Sequence, residues 1–171
     1  MKNIFLIGYM GTGKSTVAAY LCEHYNMNVV EMDQEIVERE GMSISDIFAT
    51  KGENYFRDVE TNLLLEIQKK ENQVVSCGGG VVLRERNVEE MKKSGSIVLL
   101  TARPETILER VKDDDSRPLL KGNKNISFVT EMLNKRRPMY EAAADFEVQT
   151  DGRTTAEICE EIRKKIEEVG A

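Results

Sequence analysis

The chain has 171 residues, 40% of them hydrophobic and 32% charged, with a formal net charge of −6 and an isoelectric point near 5.1. That length buries one sizeable core and is short for two, so residues 1–171 are expected to form a single domain. The acidic balance argues against a nucleic-acid binder, and no run reaches the roughly 20 apolar residues that span a bilayer, so a cytoplasmic protein without membrane contact is expected.

Ile4-Phe5-Leu6-Ile7 is a continuous apolar run that ends at Gly8, the pattern of a parallel strand buried on both faces. Gly8-Tyr9-Met10-Gly11-Thr12-Gly13-Lys14-Ser15 follows and fits G-x-x-x-x-G-K-[ST], with a helix predicted over 16–25. In this pattern the glycines let backbone N–H groups turn inward onto phosphate oxygens, and the helix N-terminus adds a favourable dipole. Lys14 is placed to neutralise phosphates, and the Ser15 hydroxyl to meet Mg²⁺, a hard cation that takes oxygen ligands. Cys22, Cys77 and Cys159 are odd in number and scattered, which suits free thiols better than disulfides or a zinc site.

A second strand is predicted over 29–32, ending at Asp33. There a carboxylate either accepts a proton from an attacking hydroxyl or caps the helix that runs through Glu35, Ile36 and Val37. Phe56-Arg57 and Glu60 open an amphipathic helix carrying Val59, Leu63, Leu64 and Ile67 at helical spacing. A third strand over 73–77 runs into Gly78-Gly79-Gly80, which is either a close ligand approach to bare backbone or an ordinary tight turn.

A fourth strand is predicted over 96–101. Residues 112–125 form a polar segment with one Pro and one Gly, read as a lid. Arg136-Arg137-Pro138-Met139-Tyr140 closes another helix. Arg57 and Arg136 are each either solvated or half of a fork pair for an anionic substrate. The last strand is predicted over 146–149, and Thr154 with Glu157 reads as a capping box for the terminal helix. Strands alternating with helices argue a parallel sheet covered on both faces, with ligands at the carboxyl ends of its strands. The guanine-reading N-K-x-D pattern is missing, since Asn123-Lys124-Asn125-Ile126 lacks the Asp, which disfavours a nucleotide-driven switch.

Taken together, the loop at Gly8 to Ser15, Asp33-Gln34-Glu35-Ile36, Phe56-Arg57-Asp58-Val59-Glu60, Gly78-Gly79-Gly80, Arg117-Pro118-Leu119-Leu120 and the pair Arg136 and Tyr140 resemble the shikimate kinase family along essentially the whole chain. The resemblance implies an α/β P-loop kinase fold: three layers, a five-stranded parallel sheet, a substrate-binding helical region near 33–60 and a lid near 112–125. It implies a kinase using ATP and Mg²⁺ on shikimate, with a monomer expected. Carried over by position, Gly11, Thr12, Gly13, Lys14, Ser15 and Thr16 hold the ATP phosphates, with Ser15 also at the metal. Asp33 contacts the accepting hydroxyl, Lys14 and Arg117 act in catalysis at the phosphates, and Arg153 lies against adenine. Arg57 and Arg136 clamp the shikimate carboxylate, and Gly79 and Gly80 contact the same substrate. The family pattern has Asp-x-Asp at the second strand, whereas this chain carries Glu31 at the first acidic position, one methylene longer in its reach toward the metal. Gluconate and nucleoside monophosphate kinases, and a non-catalytic nucleotide binder, are the alternatives.

Overall fold

The computed structural model describes residues 2–111 and 125–170. Five strands form one parallel sheet: β1 (Asn3–Ile7), β2 (Asn28–Glu31), β3 (Gln73–Ser76), β4 (Gly95–Thr101) and β5 (Phe146–Gln149), in the order β2-β3-β1-β4-β5. Among the described residues eight α-helices connect and flank them: α1 (Lys14–Tyr25), α2 (Met32–Glu40), α3 (Ile44–Lys51), α4 (Glu53–Ile67), α5 (Glu85–Ser94), α6 (Pro104–Val111), α7 (Ile126–Ala143) and α8 (Thr155–Gly170). The residues expected in the lid, Arg117 among them, lie outside the described residues, apart from Asn125, which caps α7 by accepting from the Phe128 N–H at 2.9 Å.

Every residue of β1 is buried, and its alternation divides the core. Phe5 and Ile7 enter one cluster with Met32, Ile36, Leu64 and Val81, while Ile4 and Leu6 enter a second with Val17, Leu21, Val148 and Ile162. A strand with both faces covered has no polar side to show, which is why it reads as a continuous apolar run. The chain leaves β1 for β2 on one side of the sheet, and β4 lies on the other. The sheet order therefore reverses at β1, and the crevice at such a reversal is where open α/β sheets bind ligands.

Several boundaries move by one to three residues from the sequence expectation. Helix α1 begins at Lys14, inside the phosphate-loop motif. Strand β2 ends at Glu31, whose last partner is Ser76, so Asp33 lies in the first turn of α2 rather than at a strand end. Once β2 runs out of ladder partners the chain turns directly into helix, and an acidic side chain there suits the helix dipole. Pro138 does not end α7, which continues to Ala143. The predicted capping box is present: the Glu157 N–H donates to Thr154 Oγ1 and the Thr154 N–H to Glu157 Oε1, each at 3.2 Å.

A buried side-chain network fixes the turn after β3 against α4. Asn87, fully buried, donates to the Val81 carbonyl at 2.9 Å and accepts from Thr61 Oγ1 at 2.8 Å. Replacing it by Ala strands a buried carbonyl and removes an acceptor from a buried hydroxyl. Asn87→Ala is expected to lower unfolding free energy by about 1–3 kcal/mol, measured by urea denaturation followed by circular dichroism; an unchanged midpoint would exclude this network as a support of the turn.

Candidate active site

The carboxyl ends of β1, β2 and β3 open into a cleft of about 600 Å³. Of the residues singled out in the sequence, Gly11, Gly13, Lys14, Ser15, Thr16, Asp33, Arg57, Gly79, Gly80 and Arg136 all line it. They come from five separate stretches of chain, so the fold has gathered them.

The loop after β1 curls in the manner its glycines allow. Gly13 has φ +96°, and a Cβ there would meet nothing within 4 Å, so its position is dictated by backbone conformation and open space, not by packing. Thr12 is buried and its hydroxyl donates to the Tyr9 carbonyl at 2.8 Å. Its side chain thus serves the loop itself. The Lys14 ammonium donates to the Gly8 and Tyr9 carbonyls, which lays it across the loop. Ser15 Oγ donates to Glu31 Oε2 at 2.9 Å and lies 3.4 Å from Ser76 Oγ. This set of hard oxygens fits a magnesium-sized cation accompanied by waters, and Glu31 reaches Ser15 despite its extra methylene.

The opposite wall carries charge out of water. Arg57 Nη1 donates to Glu60 Oε1 at 3.1 Å, and their side chains are 9% and 0% exposed. Arg57 Nε and Glu60 Oε2 are buried with no hydrogen-bond partner among the described residues. Glycine is required where the turn after β3 passes this wall. A Cβ at Gly80 would fall inside the Arg57 guanidinium, and one at Gly78 would lie 2.8 Å from Asp33 Oδ1 and 2.9 Å from Glu60 Oε2. Burial, opposed by Arg57 and Arg84 and reinforced by the Asp33 charge, pushes the Glu60 carboxyl up to about 7. Burial also drives the Cys77 thiol well above its ordinary range, with Lys14 opposing and the nearby Glu60, Asp33 and Glu31 charges adding to it.

Two placements differ from the rest. Arg153 does not line this cleft; it pairs with Glu161 at 2.8 Å and donates to the Gln149 carbonyl at 3.0 Å. Arg110, which no sequence motif marks, lines the cleft and donates to the Gly11 carbonyl at 2.9 Å and to Thr150 Oγ1 at 3.2 Å. The two arginines therefore hold consecutive residues at the end of β5. In the sequence Arg110 is one more charged position on an amphipathic helix, and nothing in its spacing separates it from a solvated one. Among the described residues no helix is long and apolar enough to cross a membrane.

Comparison with known proteins gives one consistent family. The family model described as shikimate kinase matches residues 10–167. A shikimate kinase of Persephonella marina is 43% identical over 166 residues, covering 97% of this chain and 99% of that protein. One from Caldicellulosiruptor bescii is 44% identical over 151 residues, 88% of this chain and 87% of the relative. Among solved structures, shikimate kinase from Acinetobacter baumannii in complex with shikimate superposes with a TM-score of 0.92 at 32% identity, covering 98% of this chain and 94% of that one. A gluconokinase from Sinorhizobium meliloti, at 18% identity and a TM-score of 0.60, shares the fold alone.

The Glu60 carboxyl ties pH to stability in the cleft wall. Its folded value near 7 lies above the ordinary 4.5, so the folded state binds the proton more tightly than the unfolded one. Its contribution is fully present below about pH 4.5 and is lost as pH rises through 7. Glu60→Gln removes this titration. The stability of the unmodified protein relative to Glu60→Gln should therefore fall between pH 4.5 and 7, by an amount on the order of 1 kcal/mol or more, in urea denaturation at a series of pH values. Parallel pH profiles for the two proteins would overturn the assignment.

Proposed function

The chain belongs to the shikimate kinase family, and we propose that it transfers the γ-phosphoryl group of ATP to the 3-hydroxyl of shikimate, giving shikimate 3-phosphate and ADP on the route to aromatic amino acids. The observation that carries this reading is the meeting, in one cleft, of a phosphate-binding loop with a carboxylate and two buried arginines. Phosphoryl transfer demands little covalent chemistry of the protein; it demands positioning and charge neutralisation, with one group to orient or deprotonate the nucleophile.

Each part of that demand has a residue. The backbone of Gly11 to Gly13 and the first turn of α1, with Lys14, Ser15 and Thr16, receives the phosphates; Thr12 contributes its N–H, since its hydroxyl is turned inward. Ser15, with Glu31 beside it, would hold Mg²⁺, which neutralises phosphate charge when bound. Asp33 accepts the proton of the 3-hydroxyl as that oxygen forms its bond to phosphorus and the bond to the ADP oxygen breaks. Arg57 and Arg136, 7% and 6% exposed, hold the substrate carboxylate, and Gly79 and Gly80 approach the same molecule through bare backbone. Arg153, which donates to the Gln149 carbonyl at the end of β5, is assigned to the adenine. The reading treats residues 1–171 as one kinase domain with its substrate region near 33–60, acting as a monomer in the cytoplasm without nucleic acid or membrane.

A coupled ADP-release assay with shikimate, gluconate and AMP tests the assignment. Turnover is expected with shikimate alone, and preference for either of the others would refute it. Asp33→Asn keeps the size of the side chain but removes the proton acceptor, so kcat is expected to fall on the order of 10²-fold with ATP binding little changed.

Arg57→Ala removes a charge-assisted contact and should weaken shikimate binding by about 2–3 kcal/mol while leaving ATP binding in place. Isothermal titration with each substrate reads the contrast, and equal weakening of both would place Arg57 outside the carboxylate site.

A further inference from the structure

A substrate carboxylate held between Arg136 and the Gly79–Gly80 turn is gripped by two elements far apart in sequence, α7 and the chain after β3. The Gly79–Gly80 peptide has a glycine on each side, so no Cβ resists its rotation. Something else must hold its plane.

Tyr140 lies one helical turn beyond Arg136 and is 3% exposed. Its hydroxyl donates to the Gly79 carbonyl at 2.6 Å. Burial raises its phenol, while the neighbouring charge of Arg136 acts against it. Arg136 also lies over the Tyr9 ring at 5.8 Å, and its Nη1 would be 3.4 Å from a Cβ placed on Gly79. In a planar trans peptide the C=O and the following N–H point in opposite directions. A hydroxyl that holds the Gly79 carbonyl therefore also fixes the direction of the Gly80 N–H.

We propose that Tyr140 is a positioning residue for the substrate carboxylate, its hydroxyl holding the Gly79–Gly80 peptide in place beside the Arg136 guanidinium. The inference rests on the functional reading above and assigns to Tyr140 a role in binding rather than in the chemical step. A ring buried in the core accounts for a Tyr or a Phe equally well; the hydroxyl bonded to the Gly79 carbonyl is what the packing does not require.

The test is Tyr140→Phe, which keeps the ring and removes the link. The KM for shikimate is expected to rise about 10-fold, with kcat within about threefold and the KM for ATP within about twofold. In an Arg136→Lys background the same change should cost less than about threefold, because the peptide and Arg136 grip the same carboxylate and the grip is already loosened. Circular dichroism and thermal melts check the fold. A shikimate KM within twofold of the unmodified protein, equal losses for both substrates, or fully additive effects with Arg136→Lys would each overturn the inference. An unmodified protein inactive toward shikimate would overturn the functional reading and this inference with it. An active one with an unaffected Tyr140→Phe variant overturns this inference alone.

Discussion

Arg57 and Glu60 meet at 3.1 Å inside the cleft wall, with almost no exposed side chain on either. Two charges taken out of water cost several kcal/mol each after relaxation, and their attraction repays this only when the geometry and the remaining hydrogen bonds are good. Here the bonds are incomplete, because one nitrogen of Arg57 and one oxygen of Glu60 have no partner among the described residues. An arrangement this costly is poor as a staple. The guanidinium is held by Glu60 on one side and pressed under the glycine turn on another, so its side-chain entropy is already lost.

The neighbouring elements follow from that constraint. A turn close enough to cover Arg57 must be free of Cβ atoms at Gly80 and Gly78, and the Asn87 and Thr61 bonds then hold the turn at that distance from α4. The phosphate loop is anchored in the same way. Tyr9 and Met10 belong to the apolar cluster that contains Met32, Ile36 and Val81, so the two walls share one core. A change of volume in that core is transmitted to both walls, since packed interiors have little room to absorb it.

Much of this was legible in the chain because the relevant signals are local. The apolar run of β1, the glycines and lysine that follow it, and the terminal capping box each depend on residues within a few positions, and each is present as read. What was not legible depends on encounters between distant segments. Asp33 was read at a strand end, but β2 stops where β3 stops pairing with it, a fact set by Ser76. Arg57 and Arg136 look like surface residues taken singly, and only the folding of α4 and α7 against the turn buries them. Arg110 carried no signal at all, since its partners, Gly11 and Thr150, are 99 and 40 residues away. Thr12 belongs to the motif by type, yet its hydroxyl faces its own loop, a direction that a pattern of residue types does not encode.

Cys77 follows the third strand in the wall of the cleft and is 2% exposed, with the charges of Glu60, Asp33 and Glu31 adding to its burial and Lys14 opposing them. Only the thiolate is nucleophilic, and both burial and that negative surrounding suppress it. Peroxide and thiol-directed electrophiles consequently find little to react with at this site, although a sulfur lies in its wall. A molecule designed for this cleft therefore gains nothing from a warhead aimed at sulfur.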